Sequence, residues 1–262
     1  MTQAIVPSHY SFGDNDLAAA RLQLLAATYE WISAEFLDRH LPERPDVLVD
    51  LGSGLGYTTA MISRLRHTAR VFGLERSTKY IGAAQALHPR LTFLEHDVLC
   101  EDFPAKDADG IYGRFLLTHL HEPERAVNLW MNQLRPKGVL LLEEVAHLAS
   151  PIDVVQTYYA MVAQMQQHYG QELHIGRKLD GFARRSGHTV ILAQQRSFPI
   201  CGATMARLHA MNISTWKRDP YMSQEYASTK LERLEQGLIE LANCPTPVAP
   251  VTCTMAQVAL QT

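Results

Sequence analysis

The sequence predicts an α/β fold in which helices cover both faces of a mostly parallel sheet of seven strands. Two observations lead to this prediction: 47% of the 262 residues are hydrophobic, and short apolar runs alternate with amphipathic stretches as far as Glu144. Strict alternation of strand and helix is typical of doubly wound sheets, because a parallel strand needs a crossover helix. The length suits one such domain with an insertion.

The first two elements differ in their period. Residues 17–41 carry apolar side chains at helical spacing, and Pro42 and Pro45 end this helix. The run Val47–Leu51 is apolar, contains β-branched residues and is bounded by proline and glycine. Such a run is typical of a buried parallel strand.

The same alternation continues through the N-terminal half and is then interrupted. Up to Glu144 we predict helices over 58–66, 79–87 and 123–134, and strands over 70–74, 91–94, 108–112 and 138–143. Beyond it we predict helices over 151–169, 178–186, 203–216 and 223–241, and strands over 189–198 and 251–260. We therefore expect residues 1–149 to form a Rossmann-like ligand-binding core. Residues 150–262 are expected to complete the sheet of the same domain and to add helical insertions that form a lid over the substrate.

Charge and cysteine content restrict the possible partners. The formal net charge is −3 and no Lys/Arg-rich run occurs, which argues against a nucleic-acid partner. No stretch approaches the roughly 20 apolar residues of a membrane span, and residues 1–10 do not have the pattern of a signal peptide. The four cysteines are scattered and no metal-ligand spacing occurs, so we expect free thiols in the cytoplasm and no metal site. The sequence does not determine the oligomeric state.

A glycine-rich turn follows the first predicted strand and precedes a helix. It contains Gly52, Gly54 and Gly56, and glycine permits positive φ and close approach of the backbone to a ligand. The following helix offers unpaired N–H groups. Glu75 comes at the end of the next strand, where a carboxylate can accept both hydroxyls of a ribose. The pattern predicts a site for a nucleotide-like ligand.

The spacing discriminates between nucleotide types. Dinucleotide enzymes use G-x-G-x-x-G, whereas this chain has G-x-G-x-G with Asp50 just before it. A carboxylate there repels a diphosphate but suits a ligand with an amino group and a sulfonium, which favours S-adenosylmethionine. No Gly-Lys-Ser/Thr follows the turn, so a P-loop is excluded.

Five segments follow one another in the N-terminal half: 50–56 (DLGSGLG), Glu75, 95–98 (EHDV), 113–120 (GRFLLTHL) and 134–140 (LRPKGVL). In this order they resemble the motifs of class I S-adenosylmethionine-dependent methyltransferases, near the small-molecule group that includes ubiquinone/menaquinone-type enzymes. The resemblance covers roughly residues 10–144. In the last segment, Lys137 stands where many relatives have a second glycine.

The resemblance implies S-adenosyl-L-methionine as cofactor and S-adenosyl-L-homocysteine as product. Glu75 would bind the ribose, Asp97 the adenine amino group, and Tyr10 and Arg21 would close over the cofactor. The full set of expected cofactor-binding residues is Tyr10, Arg21, Asp50, Gly52, Ser53, Gly54, Gly56, Tyr57, Glu75, Arg76, Asp97, Val98 and Arg114.

Catalytic and acceptor residues have alternative interpretations. His119 and His121 are candidate general bases, since the pKa of histidine lies near neutrality, but they could equally orient the loop or cap the next helix. Glu143 and Glu144 lie at the end of the fifth strand and are expected either to face the acceptor or to be solvated or paired acids. The helix over 151–169 occupies the place of the family's lid, so its aromatic and methionine face is expected to line the substrate pocket or to pack in the core. The candidates on this face are Tyr158, Tyr159 and Met165.

The sequence thus predicts methyl transfer to an oxygen, nitrogen or carbon nucleophile of a small, partly apolar molecule. A protein or RNA methyltransferase is one alternative, and a basic, open surface near the fifth strand would favour it. A noncatalytic or repurposed S-adenosylmethionine-binding protein is the second. A nicotinamide-dependent oxidoreductase is a more distant third.

Overall fold

The computed structural model describes residues 16–262, which form one seven-stranded sheet with helices on both faces. In chain order the elements are α1 (Asp16–His40), β1 (Val47–Leu51), α2 (Tyr57–Leu65), β2 (Arg70–Glu75), α3 (Thr78–Leu87), β3 (Thr92–Glu95), β4 (Ala108–Arg114), a short 3₁₀ helix (Leu117–His119), α4 (Pro123–Met131), β5 (Leu134–Ala149), α5 (Asp153–His168), α6 (Gly176–Arg185), β6 (Thr189–Ile200), α7 (Gly202–Trp216), α8 (Pro220–Glu225), α9 (Ser228–Ala242) and β7 (Val251–Gln261).

The sheet confirms the predicted fold class. Its strand order is β3-β2-β1-β4-β5-β7-β6. The strands from β3 to β5 pair in parallel, and β7 is antiparallel to both of its neighbours. The strand order reverses between β1 and β4, and open α/β sheets bind their ligands at such a point, beyond the carboxyl ends of the strands.

Both faces of the sheet are covered, which explains the continuous apolar runs in the sequence. In β5, for example, Leu140 and Leu142 pack with α4 and α6 on one face, whereas Val139 and Leu141 pack with α1 and α2 on the other. This alternation follows from the period of two in a strand.

A separate apolar cluster lies beyond the sheet. It joins α1 to the C-terminal helices α5, α7, α8 and α9, and it includes Tyr29, Met165 and Trp216. This cluster holds the C-terminal helices against the carboxyl ends of the strands. No helix in the part of the chain that the structure describes is long and apolar enough to cross a membrane.

Two predicted boundaries need correction. The helix predicted over 223–241 is two helices, α8 and α9, separated at Tyr226 and Ala227, whose φ and ψ are extended. Asp219 caps α8 by accepting the N–H of Tyr221, which is why α8 begins before residue 223. The fifth strand runs over Leu134–Ala149 instead of 138–143, because β7 pairs with it along most of its length.

Candidate active site

A cavity of about 650 Å³ lies at the carboxyl ends of the central strands. Its first part is formed by the loops after β1, β2 and β3, where the sequence places the glycine turn and the acidic residues. Its second part is formed by the segment after β4, the end of β5, and side chains of α1, α5 and α7. The loops of the predicted nucleotide site and the predicted lid helix therefore share one cavity.

The three glycines of the turn have different tasks. Each has a positive φ, +62° at Gly52, +54° at Gly54 and +80° at Gly56. Gly52 and Gly54 line the cavity. Gly56 does not; a Cβ there would lie 2.5 Å from Cζ of Phe93. Gly56 therefore allows close packing behind the turn, while the other two leave the backbone accessible from the cavity.

Glu75 ties the glycine turn to the loop after β2. Its Oε2 accepts the N–H of Gly54 at 3.0 Å, and its Oε1 accepts the N–H groups of Arg76 and Ser77 at 2.8 and 2.9 Å. Glu75 and Arg76 both line the cavity, as does Tyr57 at the start of α2. The carboxylate predicted to bind a ribose is thus fixed on the cavity wall.

Asp50 is not on the cavity wall, which corrects the expectation that its charge faces the ligand directly. It is 1% exposed, and its Oδ2 accepts the hydroxyls of Thr58 and Thr59, both at 2.6 Å. Burial raises the pKa of Asp50 to about 6, although the two hydroxyl donors oppose this. Asp50 fastens the first turn of α2 to β1 through these two hydrogen bonds. It therefore helps to fix the position of the glycine turn that joins the two elements.

The segment after β3 completes the first part of the cavity. Asp97 and Val98 both line it, next to the loop that carries Glu75. Oδ1 of Asp97 accepts the N–H of Leu99 at 3.0 Å, and the carbonyl of Val98 accepts the indole N–H of Trp130 at 2.8 Å. These bonds fix the turn in which the sequence predicted recognition of an adenine.

The chemistry of this part of the cavity fits S-adenosylmethionine. The hydroxyl oxygen of Ser53 lies in the glycine turn, is buried, and has no hydrogen-bond partner among the described residues. The carboxylates of Glu75 and Asp97 lie on the same wall. Carboxylate acceptors suit the hydroxyl and amino groups of an adenosyl ligand, and an unpartnered buried hydroxyl suits a ligand that replaces the missing bond.

The segment after β4 crosses from the first part of the cavity to the second. Phe115 has a φ of +55°, which is rare for a bulky residue, and its N–H donates to the carbonyl of Glu143 at 2.9 Å. Such backbone strain occurs most often at functional sites. The ring of Phe115 lines the cavity and meets the ring of Tyr29 edge to face, with centroids 5.0 Å apart.

The two histidine candidates differ in their position relative to the cavity. His119 lines the cavity, and its pKa is lowered to about 4 by burial, with a smaller contribution from the charge of Arg21. The imidazole is therefore neutral at neutral pH. His121 is exposed and is not among the residues that line the cavity. Of these two histidines, only His119 lies on the cavity wall.

Glu143 and Glu144 also differ in their position relative to the cavity. For Glu143 the structure favours the interpretation as a paired acid. Its buried carboxylate accepts the hydroxyl of Tyr112 at 2.5 Å and the amide of Gln257 at 2.7 Å, and it does not line the cavity. Glu144 does line it. Oε1 of Glu144 accepts the N–H groups of Leu116 and Leu117 at 2.7 and 2.6 Å, and burial raises its pKa to about 8.

The predicted face of α5 is divided between cavity and core. Tyr158 and Tyr159 line the cavity, whereas Met165 is fully buried in the C-terminal cluster and does not. Met165 is therefore a core residue, as its alternative interpretation proposed.

The remaining cofactor candidates are two arginines and one tyrosine. Arg21 on α1 and Arg114 at the end of β4 line the cavity, and Arg114 donates to the hydroxyl of Ser33 at 3.0 Å. Tyr10 lies outside the described residues. Among residues 16–262, no group of three or more side chains is arranged to hold a metal ion.

Sequence reasoning missed several polar residues of the second part of the cavity. These are Gln166 on α5 and His209 and Asn212 on α7. The spacing of His209 and Asn212, three residues apart, places them on one helix face, but nothing local shows that this face meets a cavity.

Comparison with known sequences gives a partial match. Residues 49–142 match a family described as "Methyltransferase domain". Trans-aconitate 2-methyltransferase of Methylobacterium radiotolerans is 34% identical over 119 residues, 45% of this chain and 45% of that protein. The enzyme of the same name from Yersinia pseudotuberculosis is 30% identical over 107 residues, 41% of each chain. The matches thus span less than half the length of these curated relatives.

Comparison with solved structures extends over nearly the whole chain. The cyclopropane synthase MmaA2 from Mycobacterium tuberculosis superposes with a TM-score of 0.59 at 17% identity, covering 98% of this chain and 97% of that one. Geranyl diphosphate C-methyltransferase from Streptomyces coelicolor gives a TM-score of 0.52 at 14% identity, covering 97% and 89%. At these identities the likeness concerns the fold.

Proposed function

We propose that this chain, whose residues 49–142 match a family described as "Methyltransferase domain", is a class I S-adenosylmethionine-dependent methyltransferase. It transfers a methyl group from that cofactor to a small, partly apolar molecule. The acceptor nucleophile is an oxygen, nitrogen or carbon atom. S-adenosylhomocysteine is the other product.

The observation that carries this proposal is the continuity of the cavity. Gly52, Glu75 and Asp97 lie in its first part, and Phe115 and His119 lie where it passes toward α5 and α7. A volume of about 650 Å³ is within the range of small-molecule sites, roughly 300–1,000 Å³. The cavity therefore has room for a cofactor and a small acceptor.

The lining of the second part favours a small acceptor over a protein or an RNA. Its apolar side chains come from α1, the end of β5, α5, α7 and the neighbouring loops, and they are Leu25, Tyr29, Phe115, Leu148, Val162, Leu173, Met205 and Leu208. An apolar, recessed wall suits a partly apolar molecule, whereas a polymer of nucleotides requires a basic surface.

The residues have distinct roles in this mechanism. Glu75 would bind the ribose hydroxyls and Asp97 the adenine amino group. When bound, the cofactor supplies a methyl group made electrophilic by the positive sulfur. Phe115 and Leu116 exclude water from the region between the two parts of the cavity. The protein's main task is to hold the acceptor atom, the methyl carbon and the sulfur in line. Such alignment can contribute roughly 7–11 kcal/mol to the rate acceleration.

Two groups could take the proton of an acceptor that must lose one. His119 is neutral at neutral pH because burial lowers its pKa to about 4, so its ring offers a nitrogen lone pair. Glu144 has a pKa of about 8, so its carboxylate is a stronger base once it is ionised.

The acceptor of the relatives does not transfer directly to this chain. Trans-aconitate is named for proteins that match over less than half of their length. The family match ends at residue 142, before Glu144 and the helices α5 and α7 that line the acceptor part. Trans-aconitate is accordingly one member of the panel to be tested.

The proposal is tested by titration followed by turnover. Isothermal calorimetry of the purified protein should show binding of S-adenosylmethionine and of S-adenosylhomocysteine, and no comparable binding of NAD. Incubation with unlabelled S-adenosylmethionine and a panel of small acceptors should give a product heavier than its acceptor by the mass of one CH₂, because a methyl group replaces a hydrogen. Absence of cofactor binding would exclude the proposal, and binding without turnover across the panel would favour a noncatalytic role.

The partners and location proposed from the sequence are consistent with this function. We propose that the protein works in the reducing cytoplasm, where its four cysteines would remain free thiols. We propose a small-molecule acceptor and no nucleic-acid partner.

A further inference from the structure

Four polar side chains of α5 and α7 form a hydrogen-bonded set on the cavity wall. Nε2 of His209 lies 2.9 Å from the hydroxyl of Tyr159, and the amide Nδ2 of Asn212 donates to the hydroxyl of Tyr158 at 2.7 Å. The imidazole of His209 also stacks on the ring of Tyr158, with centroids 4.1 Å apart. All four residues line the cavity. The pairs hold one another in fixed orientations.

Each pair leaves a polar atom without a partner. Nδ1 of His209 and Oδ1 of Asn212 are buried and have no hydrogen bond to any described residue, and the two residues are 5% and 9% exposed. Gln166 on α5, which is 2% exposed and lines the same cavity, has an unpartnered Oε1. Buried polar atoms of this kind are costly unless a ligand satisfies them.

These three unpartnered atoms require a ligand group that can donate a hydrogen bond. The amide oxygens of Asn212 and Gln166 can only accept hydrogen bonds. Nδ1 of His209 can donate or accept, depending on the tautomer. A hydroxyl group both donates and accepts, so it can satisfy either kind of atom. A carboxylate only accepts, and it would be repelled by the two amide oxygens.

The wall carries no charge to balance a charged ligand. Burial lowers the pKa of His209 to about 3 and raises the pKa of Tyr158 to about 12, so both are neutral at neutral pH. Arg21, the cation whose charge acts on Tyr158, belongs to α1 and not to α5 or α7. Met205 and Leu208 make the adjoining surface apolar.

From these observations we infer that the α5–α7 wall binds an uncharged, hydroxyl-bearing end of a largely apolar acceptor. This inference rests on the proposed function and defines its acceptor class. His209 and Asn212 are the residues that determine the specificity.

The test uses four naphthalene probes that differ in one substituent. They are 2-naphthol, naphthalene, 2-naphthoate and the ammonium form of 2-(aminomethyl)naphthalene. Their affinities are measured by calorimetry for the whole protein, with and without S-adenosylhomocysteine. We expect 2-naphthol to bind roughly five- to tenfold more tightly than each of the other three, the effect of one or two buried hydrogen bonds.

Two independent variants test whether the preference for 2-naphthol depends on His209 and Asn212. His209→Phe keeps the ring that stacks on Tyr158, and Asn212→Leu keeps the approximate shape of the side chain. Each should lose most of the preference for 2-naphthol and leave the affinity for naphthalene nearly unchanged. Gln236→Leu, an equivalent change at an exposed position of α9, should have no effect.

The outcomes separate the inference from the proposed function. Equal or tighter binding of the carboxylate or ammonium probe, no binding of 2-naphthol, or an unchanged preference in both variants would overturn the inference. The affinity for S-adenosylhomocysteine is measured in its own titration, so a failure there counts against the proposed function alone. Thermal unfolding shows which variants are folded, and one folded variant is sufficient.

Discussion

One carboxylate oxygen of Glu144 accepts the N–H of Leu117 at 2.6 Å, which ties the end of β5 to the segment after β4. The carboxyl group is buried, and its pKa of about 8 lies above the ordinary value of 4.5. The folded protein therefore keeps this proton over a pH range in which the unfolded chain releases it. The stability that Glu144 contributes is complete below pH 4.5 and is lost as the pH rises toward 8.

Glu144→Gln should remove this pH dependence. The amide oxygen of glutamine can still accept from Leu116 and Leu117, but the side chain does not titrate. Between pH 5 and 8 the variant should gain stability relative to the natural protein, by up to about 1.4 kcal/mol per pH unit. Urea unfolding at several pH values measures the difference. Glu232→Gln, at an exposed position of α9, is the matched control, and parallel curves for both variants would contradict the assignment.

Glu75→Ala should weaken the binding of S-adenosylmethionine by about 1.5–3 kcal/mol, the scale of hydrogen bonds to a charged group. The variant loses the proposed ribose contact and the bond from the N–H of Gly54. Calorimetry measures the affinity. Glu95→Ala is the matched control, because Glu95 pairs with Glu75 in the sheet but does not line the cavity. Equal affinities for the Glu75 variant and its control, both folded, would refute the role.

Gly54→Ala should lower the free energy of unfolding by about 1–2 kcal/mol and weaken cofactor binding. The φ of +54° opposes a Cβ, although the nearest atom, Cδ1 of Leu22, would be 3.4 Å away. Backbone strain, and not a steric clash, is therefore the expected cause of the lost stability in Gly54→Ala. Gly54→Val adds bulk where the cofactor is expected to run and should abolish binding.

The control for the Gly54 variants is a substitution at another glycine, where an added Cβ would meet no neighbouring atom. Gly82 lies in α3, and a Cβ there would meet nothing within 4 Å. Gly82→Ala should stabilise the protein by about 0.5–1 kcal/mol, because alanine favours a helix more than glycine does. If both alanine variants change the stability in the same direction, the strain argument is wrong.

His119→Gln should reduce methyl transfer, and His121→Gln should not. His119 lines the cavity, whereas His121 is exposed and does not contribute to it. The measurement is the rate of S-adenosylhomocysteine release with the acceptor that the panel identifies. If His119 is the base, its pKa of about 4 predicts no inflection of the rate between pH 6 and 8 in the natural protein. A loss of rate confined to the His121 variant would contradict this assignment.

The glycine turn shows what local sequence can predict. Gly52, Gly54 and Glu75 lie on the cavity wall as expected, because the strand, the turn and the following helix are determined by residues close together in the chain. The alternation of strands and helices predicted the parallel sheet for the same reason. By contrast, the break between α8 and α9 was missed, because residues 223–241 keep a helical period across Tyr226.

Asp50 and Glu143 show where local reasoning fails. Both were placed correctly on buried strands, but their direction is decided by partners elsewhere: Thr59 for Asp50, and Tyr112 and Gln257 for Glu143. A buried carboxylate needs hydrogen-bond donors, and the donor that happens to lie nearest in space determines whether the group faces a ligand.

The amino-acid sequence by itself determined the doubly wound core and the glycine turn on the cavity wall, because periodicity, glycine spacing and strand-end acids act over short stretches. Only the tertiary structure decided the acceptor wall. Tyr159 and His209 are separated by 50 residues in the chain and by 2.9 Å in space, and this approach depends on the packing of α5 against α7 over the sheet. Side chains from distant helices become one recognition surface only when the core brings those helices together.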